Sequence, residues 1–169
     1  MAQLVLTVVG DDRAGLVEAL ADTVAAHGGN WERSELAELA GAFAGIVLVS
    51  VPRDRETELV TALQALDGLL RVVVHAGATA SAADHGRQLT FTVLGNDRPG
   101  IVRDVTTAVR AHALSIDALT SRTLDAPMAG GTLFEATLVV RVPDDADTAP
   151  IVAELEQLAD EIQVDLTLS

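Results

Sequence analysis

Two short segments of the chain combine glycine, acidic and basic residues in the same order. Thr7–Val17 (TVVGDDRAGLV) returns as Thr92–Val102 (TVLGNDRPGIV), 85 positions later (92 − 7). In each copy an apolar run ends at a glycine, a charged turn follows, and a second glycine precedes apolar residues with helical spacing. The pattern predicts a buried strand, a tight loop and the first turn of a helix. Unpaired backbone N–H groups and the positive end of a helix dipole at such a junction favour an anionic group, such as a carboxylate.

The same loops also allow a purely structural interpretation. Their inner glycines can serve only to make the turn sharp, and the pairs Asp12-Arg13 and Asp97-Arg98 can be local ion pairs or turn formers. A single copy would favour that interpretation, whereas a repeat in register makes a ligand loop and a structural turn equally good hypotheses.

Histidine and tryptophan have structural interpretations that we favour. His27 and His112 match across the repeat, and each lies near the end of a predicted helix, where a positive charge suits the helix dipole. They are not accompanied by the carboxylate–histidine spacing of a metal site. Trp31, the only tryptophan, is expected as a core or interface plug rather than a stacking platform.

Composition excludes several classes of protein. With 49% hydrophobic residues the 169-residue chain is globular, and its lack of cysteine excludes a disulfide framework, thiol catalysis and thiolate metal sites. The net charge is −14, from 25 acidic and 11 basic side chains with no basic cluster, so direct binding to nucleic acid is not expected. Any role in gene control would therefore require a protein partner. No signal-like segment and no apolar stretch of membrane-spanning length occur, so we expect a cytoplasmic protein that does not bind a membrane.

The elements that position the loops form two successive βαββαβ units. In the first unit we expect strands at Leu4–Val9, Asn30–Leu39, Phe43–Val51 and Arg71–Ala76, and helices at Leu16–His27 and Glu56–Leu66. In the second we expect strands at Leu89–Leu94, Ile116–Leu124, Leu133–Pro143 and Gln163–Leu168, and helices from Ile101 and near Ala149–Ala159. This order predicts an α+β, ferredoxin-like fold for each unit, a four-stranded antiparallel sheet with two helices on one face.

The predicted domains are residues 1–76 and 88–169, joined by a linker of small residues at 77–87. Six extra residues in the second unit fall in its hairpin, at Asp125–Gly131, which is either an ordinary hairpin tip or a docking element. Arg71–Ala76 is apolar on both faces, so we expect the open face or edge of the first sheet to be covered by the second unit or by another subunit.

The doubled strand-G-[DN]-D-R-x-G-helix motif inside βαββαβ units resembles the ACT domain, a regulatory module that binds amino acids. The tandem pair is similar to the glycine cleavage system transcriptional repressor family. That similarity lies in GGNW after the first helix, AGAFAGIVLVSVP beyond it, and APMAGG in the second unit.

The resemblance implies a ligand at an interface between two domains, held by the strand-to-helix loop and a polar residue after the first helix. When the family's ligand-binding positions are transferred to the matching positions of this chain, the resemblance implies a set of residues in each unit. They are Gly10, Asp11, Asp12, Arg13, Ala14, Gly15 and Asn30 in the first unit, and Gly95, Asn96, Asp97, Arg98, Pro99, Gly100 and Ser115 in the second. Ala14 stands where the family commonly has proline, and Asp12 and Asp97 where serine-binding members have an amide. A carboxylate there would repel the carboxylate of an amino acid and attract its ammonium group. Asn30 could equally cap the end of the preceding helix.

These observations favour a non-enzymatic regulatory protein without cofactor or metal. It would sense a small amino acid of the glycine or serine class and act on gene expression or metabolism through a protein partner, for example a transcription factor. A homo-oligomer is compatible with this role. Two alternatives stay open. One is a ligand-free oligomerisation module, and the other is a small ferredoxin-like hydrolase of acylphosphatase type, which would need an arginine over a phosphate-binding loop with a partner asparagine.

Overall fold

The computed structural model describes residues 1–77, 87–112, 114–125, 131–143, 147–150 and 153–154, and the backbone of 162–168. The chain divides into two compact units, Met1–Ser81 and Ala82–Ser169. Most of the predicted linker lies outside the described residues.

The first unit has the predicted βαββαβ order. Its elements are β1 (Ala2–Asp11), α1 (Leu16–Ala26), β2 (Asn30–Leu39), β3 (Ala42–Val51), α2 (Glu56–Gln64) and β4 (Arg71–Ala76). The strands form one antiparallel sheet in the order β2-β3-β1-β4. The predicted ferredoxin-like fold is therefore confirmed, with one addition, a single 3-10 turn at Arg53–Arg55 before α2.

Periodicity explains the core of this unit. Alternate residues of β1 point inward, and α1 covers them with residues at helical spacing. The fully buried set from these two elements is Leu4, Leu6, Val8, Leu16, Leu20 and Val24. By contrast β2 is an edge strand whose side chains are mostly exposed, which is why its composition resembles that of a surface helix. A β-bulge between Trp31 and Arg33 bends this edge, and Trp31 packs against the core, as predicted.

The second unit repeats the strand order of the first. Its described elements are β5 (Arg87–Asn96), α3 (Ile101–Ala111), β6 (Ser115–Asp125), β7 (Thr132–Val142) and β8 (Ile162–Leu168). The antiparallel sheet has the order β6-β7-β5-β8, and the bulge recurs between Ile116 and Ala118. The predicted last helix, near Ala149–Ala159, and the predicted hairpin tip, Asp125–Gly131, lie largely outside the described residues.

The outer faces of the two sheets differ in chemistry. In each sheet, one row of paired residues crosses all four strands at equivalent positions. The row is Glu35, Ile46, Thr7 and Val73 in the first unit, and Thr120, Thr137, Thr92 and Asp165 in the second. Ile46 and Val73 are each 48% exposed. The face of the first sheet thus presents apolar side chains, whereas the second face is rich in threonine. That the second unit or another subunit covers the first face stays a prediction.

Candidate functional site

Each strand-to-helix loop ends in a glycine with left-handed backbone geometry. Gly15 has φ +90° and Gly100 has φ +88°, a region that side chains with a Cβ rarely adopt. The carbonyl oxygen of Gly15 accepts the N–H of Ala19 at 2.9 Å, and that of Gly100 accepts the N–H of Asp104 at 3.0 Å. The two loops therefore start their helices in the same way, and neither helix has a side-chain cap.

Both loops are anchored to the neighbouring hairpin by the same hydrogen bond. The N–H of Asp12 donates to the carbonyl oxygen of Gly41 at 2.8 Å, and the N–H of Asp97 donates to that of Thr132 at 2.8 Å. This main-chain donor is consequently occupied in each loop. Donors for a ligand therefore have to come from the other N–H groups of the loop, from the first turn of the helix or from side chains.

A cavity of about 390 Å³ opens beside the first loop. It lies where the end of β1 meets the connection between α2 and β4. The connection approaches closely because Gly10 has no side chain, since a Cβ there would lie 2.9 Å from the carbonyl oxygen of Leu69. The cavity is lined by Val9, Gly10, Asp11, Arg13, Ala42, Asp67, Gly68, Leu69, Leu70 and Arg71.

Two arginines and two aspartates border this cavity. Arg13 approaches Asp11 only to 3.9 Å, and the two side chains are 48% and 94% exposed, so the contact is weak. Arg71 has no ion pair within the part of the chain that the structure describes. The planar guanidinium group donates to both oxygens of a carboxylate, so these arginines are suited to bind an acid.

The second loop is closed by its own side chains. Arg98 donates to Asp104 at 2.7 Å, and Arg103 approaches the same carboxylate at 3.3 Å. The hydrogen bond from Arg98 holds the pKa of Asp104 below its ordinary value, against the opposing effect of desolvation, with a smaller contribution from Arg103. In the first unit Ala19 occupies the corresponding position of the helix, so Arg13 has no such partner.

The structure brings together only part of the predicted ligand-binding set. Gly10, Asp11 and Arg13 border the cavity, whereas Asn30 lies at the opposite end of the sheet. Asn30 pairs with Ser50, which pairs with Gln3, eight residues from Asp11 along β1; at the rise of a strand this is about 26 Å. Within one unit, Asn30 and the loop are therefore too far apart to hold one small ligand.

The remaining predicted residues divide in the same way. Asp12, Ala14 and Gly15 belong to the first loop without lining its cavity, and Gly95, Asn96, Asp97, Pro99 and Gly100 form the second loop around Arg98. Ser115 pairs with Arg141 at the far end of the second sheet, where it borders a separate cavity of about 480 Å³ below the end of α3.

Asn30 is also not the cap of the first helix. Gly28, with φ +70°, ends α1 and donates its N–H to the carbonyl oxygen of Ala25 at 2.9 Å. Among the residues that the structure describes, Ala40 is the only one other than glycine with positive φ, so Asn30 does not have the left-handed geometry of such a cap. Asn30 is simply the first residue of β2.

The two histidines lie at helix ends, as predicted. His27 Nδ1 donates to the carbonyl oxygen of Thr23 at 2.8 Å, and His112 Nε2 lies 2.7 Å from Oε2 of Glu154. Among the described residues no group of three or more histidine or acidic side chains is placed to hold a metal ion.

Sequence reasoning missed Arg71, Asp67 and Asp104. Asp67 lies in the connection before β4 and Arg71 is the first residue of β4, both far along the chain from the loop. Arg71 reaches the site because it pairs with Val9 in the sheet. Alignment of the two repeats would have pointed to Asp104, because it occupies the helix position that Ala19 has in the first unit.

Within the described residues, no helix has the length and apolar character needed to span a bilayer.

Comparison with known proteins agrees with this fold. The crystal structure of an unknown protein from Galdieria sulphuraria is similar over 99% of this chain and 98% of that chain, with 28% sequence identity and a TM-score of 0.85. The structure of a protein named provisionally as a glycine cleavage system transcriptional repressor is similar over the same shares, with 20% identity and a TM-score of 0.73, a likeness that shows the fold alone. No curated protein matches the chain.

Family models account for both units. One ACT domain model matches residues 2–76, and another matches residues 90–160. The doubled loop and the repeated strand order are thus features of one kind of module. The chain belongs to the ACT domain family and carries two ACT domains in tandem.

Proposed function

We propose that this protein is a non-enzymatic cytoplasmic regulator that binds a small amino acid of the glycine or serine class and passes the signal to a protein partner. The observation that carries the proposal is the cavity beside the first loop, bordered by Arg13, Arg71, Asp11 and Asp67. Membership of the ACT family supports a ligand-binding regulatory role.

The charges around the cavity complement a zwitterion. A guanidinium group would bind the ligand carboxylate, and an aspartate would attract its ammonium group. A volume of about 390 Å³ is near the lower end of ligand sites, which run from about 300 to 1,000 Å³. Small amino acids suit such a site because no deep apolar pocket is present there for a large side chain.

The signal would pass by differential affinity, with the ligand stabilising one arrangement of the protein over another. A protein partner is the expected receiver, because a net charge of −14 opposes direct contact with nucleic acid. The name of one structural relative, a transcriptional repressor of the glycine cleavage system, supports gene expression as the regulated process.

Thermal-shift and calorimetric titration of the full chain with the twenty amino acids tests the proposal. Glycine or L-serine is expected to raise the Tm in a concentration-dependent way, because a ligand that binds only the folded state stabilises it. Arg13→Gln should weaken the response. No shift and no heat with any amino acid would remove the sensing role.

The apolar face of the first sheet favours a second candidate, a ligand-free module that assembles with copies of itself. Ile46 and Val73, each 48% exposed, would be covered in such an assembly. Analytical ultracentrifugation distinguishes the two candidates. A stable oligomer that no amino acid alters, together with flat calorimetry, would favour the assembly module.

The geometry does not favour the hydrolase alternative. An acylphosphatase-type site needs an arginine and an asparagine at one loop, but Asn30 lies about 26 Å from the loop that carries Arg13. Arg98, two residues from Asn96, is bound to Asp104. Assays with acyl and aryl phosphates should therefore show no turnover.

A further inference from the structure

We propose that the two ACT domains have different roles: only the first loop binds the carboxylate of the amino acid, through Arg13 and Arg71, while Asp104 keeps the second loop unavailable by binding Arg98. This inference rests on the proposed function and specifies it, because it gives the chain one ligand site and names the residues that decide which loop is used.

The equivalent arginines of the two loops differ in their ion pairing. Arg13 has only the 3.9 Å contact with Asp11, whose side chain is 94% exposed. Arg98 donates a 2.7 Å hydrogen bond to Asp104, whose side chain is 25% exposed. An incoming carboxylate therefore meets an available guanidinium group at the first loop. At the second loop it would have to displace a carboxylate already bound.

The cause lies at a single helix position. Ala19 is the fourth residue of α1, and Asp104 is the fourth residue of α3. Both are partly buried, and both N–H groups bond to the glycine that precedes the helix. The backbones are thus alike, and the side chain at this position decides whether the loop arginine is available.

The position of the other arginine of the cavity also differs between the two units. Arg71 opens β4 and pairs with Val9 of β1. The repeat of Val9 is Leu94, and its partner in β8 is Gln163. A neutral amide therefore occupies the register position of Arg71 in the second sheet. Asn96 likewise replaces Asp11 at the end of the first strand.

Together these differences match one ligand class to one unit. The first loop has two arginines for a carboxylate and two aspartates, Asp11 and Asp67, for an ammonium group. The second loop has one arginine, Arg98, which is already bound to Asp104, and within the described residues Gln163 occupies the register position of Arg71. A small α-amino acid is complementary only to the first arrangement.

Isothermal titration of the full chain with glycine and with L-serine measures the stoichiometry, and the expected value is one ligand per chain. Arg71→Gln gives the first unit the residue of the second and should weaken binding about 10- to 100-fold, the usual effect of losing a charge-assisted hydrogen bond. Arg98→Gln is the matched control and should change the Kd less than about twofold, since Arg98 does not contact the ligand.

Ala19→Asp tests directly whether the side chain at this helix position decides if the loop arginine is available. It should lower the affinity about 10-fold or more by giving Arg13 an intramolecular partner, whereas Ala19→Asn, of the same shape without the charge, should have a much smaller effect. Thermal unfolding of each variant in the absence of ligand shows whether it is folded. In spectra of ¹⁵N-labelled arginine side chains, the resonances of Arg13 and Arg71 should move on addition of ligand while that of Arg98 stays fixed.

The outcomes separate this inference from the proposed function. Two ligands per chain, or equal losses from Arg71→Gln and Arg98→Gln, would overturn the division of roles while leaving amino-acid sensing intact. Absence of binding by any amino acid would overturn both. One ligand per chain that depends on Arg71 and is blocked by Ala19→Asp would support both.

Discussion

Arg98 and Asp104 lie 2.7 Å apart, and this pair distinguishes two loops that share their backbone geometry and anchoring. The equivalent positions in the first unit are Arg13 and Ala19, which cannot form an ion pair. A duplicated motif thus carries two electrostatic states in one chain.

Replacing Arg98 should change the titration of Asp104. In Arg98→Gln the pKa of Asp104 is expected to rise toward its ordinary value, because the hydrogen bond that lowers it is lost. Carbon-detected NMR of the carboxyl group from about pH 2 to about pH 6, a range that brackets the ordinary pKa of about 3.9, is the measurement. Arg103→Gln is the control, and a rise larger than that in Arg98→Gln would contradict the assignment of Arg98 as the main partner.

The same shift fixes the pH dependence of the closed second loop. A folded-state pKa below the unfolded-state value means that the pair stabilises the fold above about pH 3.9, and that this stabilisation is lost as the pH falls through the folded-state pKa. Between about pH 5 and 8 Asp104 stays ionised, so the ligand stoichiometry should be constant there. A second binding event appearing within that interval would show that the loop opens by another route.

Gly10→Ala should damage the cavity. The added Cβ would lie 2.9 Å from the carbonyl oxygen of Leu69, so the connection before β4 would have to move away from β1. We expect a loss of about 1–3 kcal/mol in the free energy of unfolding, together with weaker ligand binding. Chemical denaturation and titration with glycine measure the two effects, and unchanged affinity would place the ligand elsewhere.

Gly45→Ala should destabilise the first unit without a direct effect on ligand contacts. A Cβ at this position would overlap the carbonyl oxygen of Glu35 on the neighbouring strand, which is backbone and cannot turn aside. The expected cost is about 1–3 kcal/mol. Fluorescence of Trp31, the only tryptophan, follows the unfolding of this unit specifically. The exposed neighbour Ala44 provides the control, since Ala44→Ser should change stability by less than about 0.5 kcal/mol.

Asp67→Asn should affect the ammonium end of the ligand. Binding of glycine is expected to weaken several-fold, whereas binding of glycolate, which has a hydroxyl group in place of the ammonium, should not weaken, because the lost attraction is to a positive charge. Calorimetry with the two ligands measures the difference. Equal losses would show that Asp67 acts by shaping the cavity and not through its charge.

Asn30→Ala distinguishes the site implied by family resemblance from the cavity. If the ligand binds in the cavity of one unit, this variant should retain wild-type affinity, because Asn30 lies about 26 Å away along the sheet. A marked loss of affinity would indicate that Asn30 contacts the ligand, as the resemblance implies.

The fold could be predicted from the sequence because the patterns that indicate its strands and helices are local and occur in both repeats. Strand Arg71–Ala76 was predicted with its observed bounds, and Asn30–Leu39 was correctly assigned as a strand despite a composition that suits a helix. That assignment depended on the repeat, since the edge position that explains the exposed residues of β2 is a tertiary feature.

The site was less accessible, because antiparallel pairing decides which distant residues meet. Arg71 joins the first loop through its register with Val9, and no local pattern encodes that register. The same topology places Asn30 at the far end of the sheet, a separation that the order of elements would have revealed, since Asn30 follows a helix that runs away from the loop.

The bond from the N–H of Asp12 to the carbonyl oxygen of Gly41 has a mechanical consequence. Hydrogen bonds tolerate little stretching, so a loop that shifts must either break this link or drag the hairpin end with it. Leu39, two residues before Gly41, is 75% exposed. A small movement of the charged turn would therefore displace the exposed, apolar end of this hairpin, where a neighbouring molecule can contact it.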